Sequence, residues 1–148
     1  MSIRFEHSID VTCAPERAFA VLDDVSLTPR WLSRCTGIEK LTPGPNAVGT
    51  KLKYDYRDAG RTGTMEGEIT ERTPNERLAM RYGDKMMDVT VDFRMARAEG
   101  GVRLTHAIEI TPRTLLSRVF SPLIRRQLPK QTITAMESLR TLLQSPRA

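Results

Sequence analysis

The sequence contains few of the residues that form disulfide bonds or bind metal ions in small proteins. It contains two cysteines and two histidines among 148 residues, and neither a Cys-x-x-Cys nor a His-Glu-x-x-His motif occurs. A zinc site needs three or four such ligands, so we predict no metal site and two plain thiols, Cys13 and Cys35. A glycine-rich phosphate loop and a dinucleotide fingerprint are also absent, and we expect no cofactor.

Long apolar runs are missing too. No segment approaches the ~20 apolar residues that a membrane-spanning helix needs. Arg4, Glu6 and Asp10 interrupt the N-terminal region where a secretory signal would have its apolar core. These features predict a cytoplasmic protein. The length lies within the ~100–200 residues usual for one domain, so we expect residues 1–148 to form a single domain.

Acidic residues are nearly absent from the C-terminal quarter. Residues 1–112 carry a net charge of −1, whereas residues 113–148 carry +6, with Glu137 as their one acidic residue. A basic helix of this kind could contact nucleic acid, a ribosome or an acidic membrane surface. A solvated helix face explains the same charges more simply, and we favour it. We expect a monomer or a weak homodimer.

Alternation of apolar and polar residues dominates the first three quarters of the chain. It predicts a half-buried first strand over residues 3–11 and six more strands between Ile38 and Ile110. Strands at this spacing indicate an antiparallel sheet with one solvated face. Gly63 and Gly67 lie inside one of these strands and predict either β-bulges or a sharp bend where the sheet curls.

Helical patterns flank this region. Pro15, at a first helical position, predicts a short helix to about Asp23, and Thr28-Pro29 predicts a second short helix. After Pro112 a helical stripe predicts a long amphipathic helix that covers the sheet. This stripe contains Leu116, Phe120, Leu123, Ile124 and Leu128. Pro129 would kink the helix, and Pro122 offers an alternative start for it.

Several short stretches, taken in order, resemble the START-related superfamily of polyketide cyclases, lipid-transfer proteins and pollen-allergen-like proteins. They are Ala14-Pro15-Glu16-Arg17-Ala18-Phe19, Pro29-Arg30-Trp31, Val48-Gly49-Thr50, Ile69-Thr70-Glu71-Arg72-Thr73-Pro74 with Arg77-Leu78, and Val102-Arg103-Leu104-Thr105-His106. The resemblance implies an α+β helix-grip fold: a seven-stranded antiparallel sheet curled around a long C-terminal helix, with two short helices after the first strand. It also implies a cavity between sheet and helix for an apolar or amphipathic small molecule.

Two histidines are the main chemical candidates. His7 and His106 both lie on apolar strand faces, and the resemblance makes the first and last strands neighbours, so we expect both imidazoles to point into the cavity. Burial should lower their pKa values below the ~6.5 reference. With Tyr54 they are the candidate catalytic residues; ordinary core packing is the alternative for each of the three.

Strand parity and the resemblance together predict the residues of a cavity of the ~300–1,000 Å³ class. They are His7, Trp31, Tyr54, Tyr56, Met65, Met80, Tyr82, Val91, Phe93, His106, Phe120 and Ile124. The inward-facing strand positions include no charged residue, which argues against carboxylate chemistry, unless a change of register turns Glu66 and Glu68 inward.

The predicted function is therefore the binding of a small hydrophobic or amphipathic molecule by a carrier or accessory protein. A polyketide aromatase/cyclase-type enzyme that uses histidine and tyrosine is the first alternative. An interaction module that docks through its basic C-terminal helix is the second.

Overall fold

A computed structural model describes residues 2–58 and 60–145; Met1, Ala59 and residues 146–148 lie outside it. It contains seven strands, three α-helices and one 3-10 helix. In chain order these are β1 (Ile3–Val11), α1 (Pro15–Asp23), the 3-10 helix (Val25–Arg30), β2 (Cys35–Lys40), β3 (Lys51–Asp58), β4 (Arg61–Thr73), β5 (Arg77–Gly83), β6 (Met87–Ala98), β7 (Gly101–Pro112), α2 (Leu115–Val119) and α3 (Ser121–Gln144).

The seven strands form one antiparallel sheet in the order β1-β7-β6-β5-β4-β3-β2. Each neighbouring pair from β2 to β7 is consecutive in the chain, whereas β1 pairs with β7, the last strand. In that pairing His7 lies directly opposite His106. The predicted seven-stranded helix-grip architecture is confirmed.

The two bulges of the sheet do not lie at the predicted glycines. The register shifts between Cys35 and Gly37 in β2 and between Ile69 and Glu71 in β4. Gly63 and Gly67 instead make room for aromatic rings. A Cβ atom at Gly67 would lie 2.3 Å from the Tyr82 ring and 2.6 Å from the Arg81 carbonyl oxygen.

This close approach makes Gly67 sensitive to substitution. Gly67→Ala is expected to lower the free energy of unfolding by roughly 1–3 kcal/mol, because the ring and a backbone carbonyl must both move. Gly37→Ala is the matched control, since no heavy atom lies within 4 Å of a Cβ there. Chemical denaturation of both variants measures the difference; equal stability would mean that the Tyr82 ring moves at little cost.

The second short helix differs from its predicted form. It is a 3-10 helix that begins after Asp24, whose carboxylate accepts a hydrogen bond from the Ser26 backbone N–H at 3.1 Å. Thr28 therefore lies inside the helix instead of capping it. Asp24 is a stronger N-cap than Thr28, and the helix therefore begins earlier than Thr28-Pro29 indicates.

The C-terminal region is broken at Phe120, and the alternative start at Pro122 is the one observed. Pro129 is accommodated inside α3. The break changes which residues face the sheet: Leu116, Phe120 and Leu123 are 56%, 43% and 48% exposed, so the predicted stripe is wrong over its first half. The buried side of α3 consists of Ser121, Leu128, Thr132, Ala135, Met136, Leu139, Leu142 and Leu143.

The main core lies between the concave face of the sheet, the short helices and the C-terminal half of α3. Both cysteines are free thiols, and burial raises the pKa of Cys35 to about 11. Of the helices described, none is long and apolar enough to cross a membrane.

Candidate functional site

A cavity of about 160 Å³ lies between the sheet and the segment that runs from α1 to β2. Strands β2 to β7 contribute inward-facing side chains, and the short helices close one side. The lining residues are Leu22, Thr28, Trp31, Leu32, Arg34, Ile38, Tyr54, Tyr56, Asp58, Met65, Met80, Tyr82, Met87, Val89, Val91, Phe93, His106, Ile108 and Ile110. This volume is smaller than the predicted range of ~300–1,000 Å³.

The long helix does not wall this inner cavity. Among the described residues of α3, none lines it. Instead Lys130, Gln131 and Thr134 of α3 border a second, outer cleft of about 420 Å³. The predicted location between sheet and C-terminal helix therefore fits the outer cleft, whereas the inner cavity lies under the short helices, because α3 packs mainly against the edge strand β1.

Three residues join the two spaces. Leu32, Arg34 and Asp58 line both the inner cavity and the outer cleft, so they stand where the cavity opens. Arg34 lies in the turn before β2, and Asp58 is the last residue of β3. A ligand that enters from the cleft would pass a cation and an anion before it reached the apolar interior.

These two charged residues correct the expectation of an uncharged cavity. Asp58 has the same strand parity as Tyr54 and Tyr56, and this parity could have revealed it. Arg34 carries no such signal, since it lies outside the regular strands. Glu66 is exposed and Glu68 pairs with Lys51 at 3.2 Å, so neither faces inward.

Nine of the twelve predicted cavity residues line the inner cavity, and three do not. The nine are Trp31, Tyr54, Tyr56, Met65, Met80, Tyr82, Val91, Phe93 and His106. Phe120 is excluded because the helix break turns it toward solvent. Ile124 packs against a separate apolar cluster around Ile3 and Leu128. That these residues bind a ligand stays a prediction.

His7 is the third residue that does not line the cavity. It shares a sheet face with His106, as strand parity predicts, but it is only partly buried, and its ring stacks on Phe5 at 6.3 Å between centroids. It lies on the edge strand β1, against which α3 packs, and it is not among the residues that line the cavity. Of the predicted pair, only His106 remains a candidate for contact with a ligand.

His106 is buried and has no hydrogen-bond partner for either ring nitrogen within the part of the chain that is described. Its ring stacks on Phe93, with centroids 4.4 Å apart and planes 14° apart. Burial, reinforced by the positive charge of Arg34, lowers the pKa of His106 to about 4. The imidazole is therefore neutral near pH 7, with one nitrogen able to donate a hydrogen bond and the other able to accept one.

Trp31 supplies a second unpartnered donor. Its ring meets Phe93 edge-on at 5.9 Å, and the buried indole N–H has no acceptor among the described residues. Trp31, Phe93 and His106 thus form one aromatic cluster in the cavity lining. Its unpartnered polar atoms belong to Trp31 and His106. Phe93 holds both rings in place.

Three tyrosines, Tyr54, Tyr56 and Tyr82, also line the cavity. Tyr54 lies 5.0 Å from Tyr82 and 6.2 Å from Tyr56 between ring centroids. The Tyr82 hydroxyl donates to the Met80 sulfur at 3.3 Å. Burial raises the pKa of Tyr54 and of Tyr82 well above the ordinary tyrosine value. Both phenols therefore stay protonated and can only serve as hydrogen-bonding groups at neutral pH.

A curved antiparallel sheet, a C-terminal helix and an internal cavity closed by short helices define a helix-grip fold. The chain belongs to the polyketide cyclase / dehydrase and lipid transport family, whose family model matches residues 2–144. The family indicates hydrophobic-ligand binding or a polyketide cyclase-type function.

The curated relatives are uncharacterized proteins, so their names suggest no activity for this chain. Uncharacterized proteins of Mycobacterium tuberculosis and Mycobacterium bovis are 30% identical over 105 residues, which is 68% of this chain. The chain spans 61% of the length of these relatives.

Solved structures show the same fold at low sequence identity. An aromatase/cyclase of Streptomyces sp. R1128 has a TM-score of 0.80 at 12% identity and covers 97% of this chain and 94% of its own. A START superfamily protein of Mycobacterium smegmatis reaches 0.78 at 12% identity, with 95% and 96% covered. The allergen Ara h 8.0201 reaches 0.72 at 14% identity, with 97% and 98% covered.

Proposed function

We propose that this chain binds one small amphipathic molecule in its inner cavity, as a carrier or accessory protein. The observation that carries the proposal is the set of buried polar atoms of the cavity lining that have no partner among the described residues: both nitrogens of His106, the indole N–H of Trp31 and the Nε–H of Arg34. Leaving a buried polar group unpaired costs about 1–3 kcal/mol. A ligand hydroxyl would satisfy part of this set, because its oxygen can accept a hydrogen bond from the Trp31 N–H and its hydrogen can be donated to the unprotonated His106 nitrogen.

The cavity volume limits the ligand. A cavity of roughly 150 Å³ holds a single benzene ring, and the space here is about 160 Å³. The ligand that fits without rearrangement is therefore one ring with a polar substituent. Larger molecules require Met65, Met80 and Met87 to change rotamer, which unbranched thioether side chains do readily.

2-Naphthol is a suitable probe because it joins two fused rings to one hydroxyl. Fluorescence titration is expected to show one saturable site per chain. Naphthalene, which lacks the hydroxyl, is expected to bind roughly tenfold more weakly, because one net hydrogen bond is lost and polar atoms stay unpaired. His106→Leu should reduce this preference for the hydroxyl.

Filling the cavity supplies the control. Val91→Trp should abolish 2-naphthol binding, whereas Val48→Trp should leave it unchanged because Val48 is 63% exposed. Val91→Phe replaces the larger substitution if tryptophan prevents folding, which circular dichroism would show. Binding that survives in a folded Val91 variant would place the ligand elsewhere and refute the proposal.

An aromatase/cyclase-type enzyme is the second candidate. It is favoured by the presence of His106, Tyr54, Arg34 and Asp58 around one cavity. Cyclisation of a linear poly-β-ketone thioester forms a carbon–carbon bond, and dehydration then releases water. If the protein catalyses this conversion and His106→Gln abolishes it, the carrier proposal fails; recovery of the unchanged thioester supports the carrier.

A further inference from the structure

The junction of α2 and α3 exposes a cluster of large apolar side chains. Leu115 is 78% exposed and Val119 is 66% exposed, and three more residues nearby exceed 40%. Five of the eight exposed large hydrophobic residues described thus fall within nine consecutive positions: Leu115, Leu116, Val119, Phe120 and Leu123. Scattered exposed apolar residues need no explanation, but a contiguous group marks an interaction surface.

Basic side chains border this apolar cluster. Arg118 follows Leu115 by three positions in α2, and Arg126 and Lys130 follow Leu123 by three and seven positions in α3. Helical spacing places each on the same side as its apolar neighbour. All three are exposed, and the sequence has no Asp or Glu between Glu109 and Glu137.

We propose that this surface, Leu115–Leu123 with Arg118, Arg126 and Lys130, docks on a membrane that contains anionic lipids. The apolar side chains would enter the boundary between headgroups and acyl chains, while the basic groups pair with lipid phosphates and carboxylates. The proposal is independent of what the cavity binds.

The charge pattern argues for this occupant over two others. A second copy of the chain on the same surface would bring a second set of the same three cations to the interface, and residues 110–136 contain no carboxylate to pair with them. Nucleic acid would pair with the basic residues but would leave the five aliphatic and aromatic side chains against phosphate or water. An anionic bilayer satisfies both features together.

Co-sedimentation of the full chain with vesicles tests the proposal. Phosphatidylcholine vesicles that contain phosphatidylserine are expected to bind the protein, and pure phosphatidylcholine vesicles much less. Leu115→Ser with Val119→Ser should lower partitioning roughly tenfold or more, because two largely exposed apolar groups no longer enter the bilayer. Arg118→Gln with Arg126→Gln should lower binding to the anionic vesicles roughly tenfold or more and leave the weak neutral binding unchanged.

Leu41→Ser with Val48→Ser is the matched control, since these residues are 52% and 63% exposed elsewhere on the surface. This variant should partition like the wild type. The proposal is overturned if anionic vesicles do not bind the chain or if the control loses as much binding. It is equally overturned if the wild type sediments as a dimer that Leu115→Ser with Val119→Ser dissociates. The same holds if Arg118→Gln with Arg126→Gln weakens RNA binding but leaves vesicle binding unchanged.

Discussion

Phe93→Ala is expected to lower the free energy of unfolding by roughly 3–5 kcal/mol. Phe93 is 1% exposed, and its ring lies between Trp31, 5.9 Å away, and His106, 4.4 Å away. The alanine variant loses the favourable free energy of burying an aromatic side chain, and it also loses both ring contacts. It also joins the vacated volume to the existing cavity, so neighbouring side chains have little to collapse against.

Phe120→Ala is the matched control. Like Phe93, Phe120 was predicted to line the cavity, but it is 43% exposed at the α2–α3 junction. Its truncation should change stability by no more than about 0.5 kcal/mol. Urea denaturation followed by circular dichroism measures both variants. Comparable losses in the two would mean that Phe93 does not hold the aromatic cluster together.

Acidification is expected to destabilise the native protein through His106 by an amount on the order of 3 kcal/mol between about pH 6.5 and about pH 4. The unfolded chain protonates this imidazole near its ordinary value of 6.5, whereas burial first and the charge of Arg34 second delay protonation in the native state to about 4. His7 also opposes protonation, and Asp92 favours it. Within this window the unfolded state binds the extra proton, so stability falls as the pH falls.

His106→Gln should flatten this part of the pH profile. The partly buried carboxylate of Asp23 acts in a lower pH range. Burial alone would raise its pKa, but hydrogen bonds from Arg72 and Asn46 outweigh that effect and hold the pKa below its ordinary 3.8, so its contribution to stability is lost only in stronger acid. Denaturation midpoints measured across the pH range separate the two effects. An unchanged slope in His106→Gln would show that another group titrates there.

The main cavity wall could be read from alternation. Tyr54, Met80, Phe93 and His106 lie on strands whose apolar residues recur at every second position, and pleating sends such residues to one face. The pairing of β1 with β7, which the family resemblance predicts, also places His7 opposite His106 on the same face of the sheet. Local pattern was sufficient here because a one-residue change of register would bury charges and expose the apolar set.

Other features depend on where elements end. Arg34 enters the cavity from a turn, and no periodicity predicts the direction of a side chain there. The stripe over Leu116, Phe120 and Leu123 was assigned to one continuous helix, whereas the capping box of Thr114 and Ser117 starts a short α2 that ends at Val119, and α3 begins at Ser121 in a new phase. That break converts predicted core residues into the exposed cluster.

The sequence alone determined the family, the order of the strands and helices, the inward face of the sheet and the concentration of positive charge at the C-terminal end. Each of these depends on local patterns or on residues close together in the chain. Only the tertiary structure decided that α3 packs against β1 and does not line the inner cavity, that His7 does not line it either, and that Arg34 and Asp58 both lie at its opening. Those outcomes depend on how helices pack on a curved sheet, where side chains distant in sequence compete for the same volume.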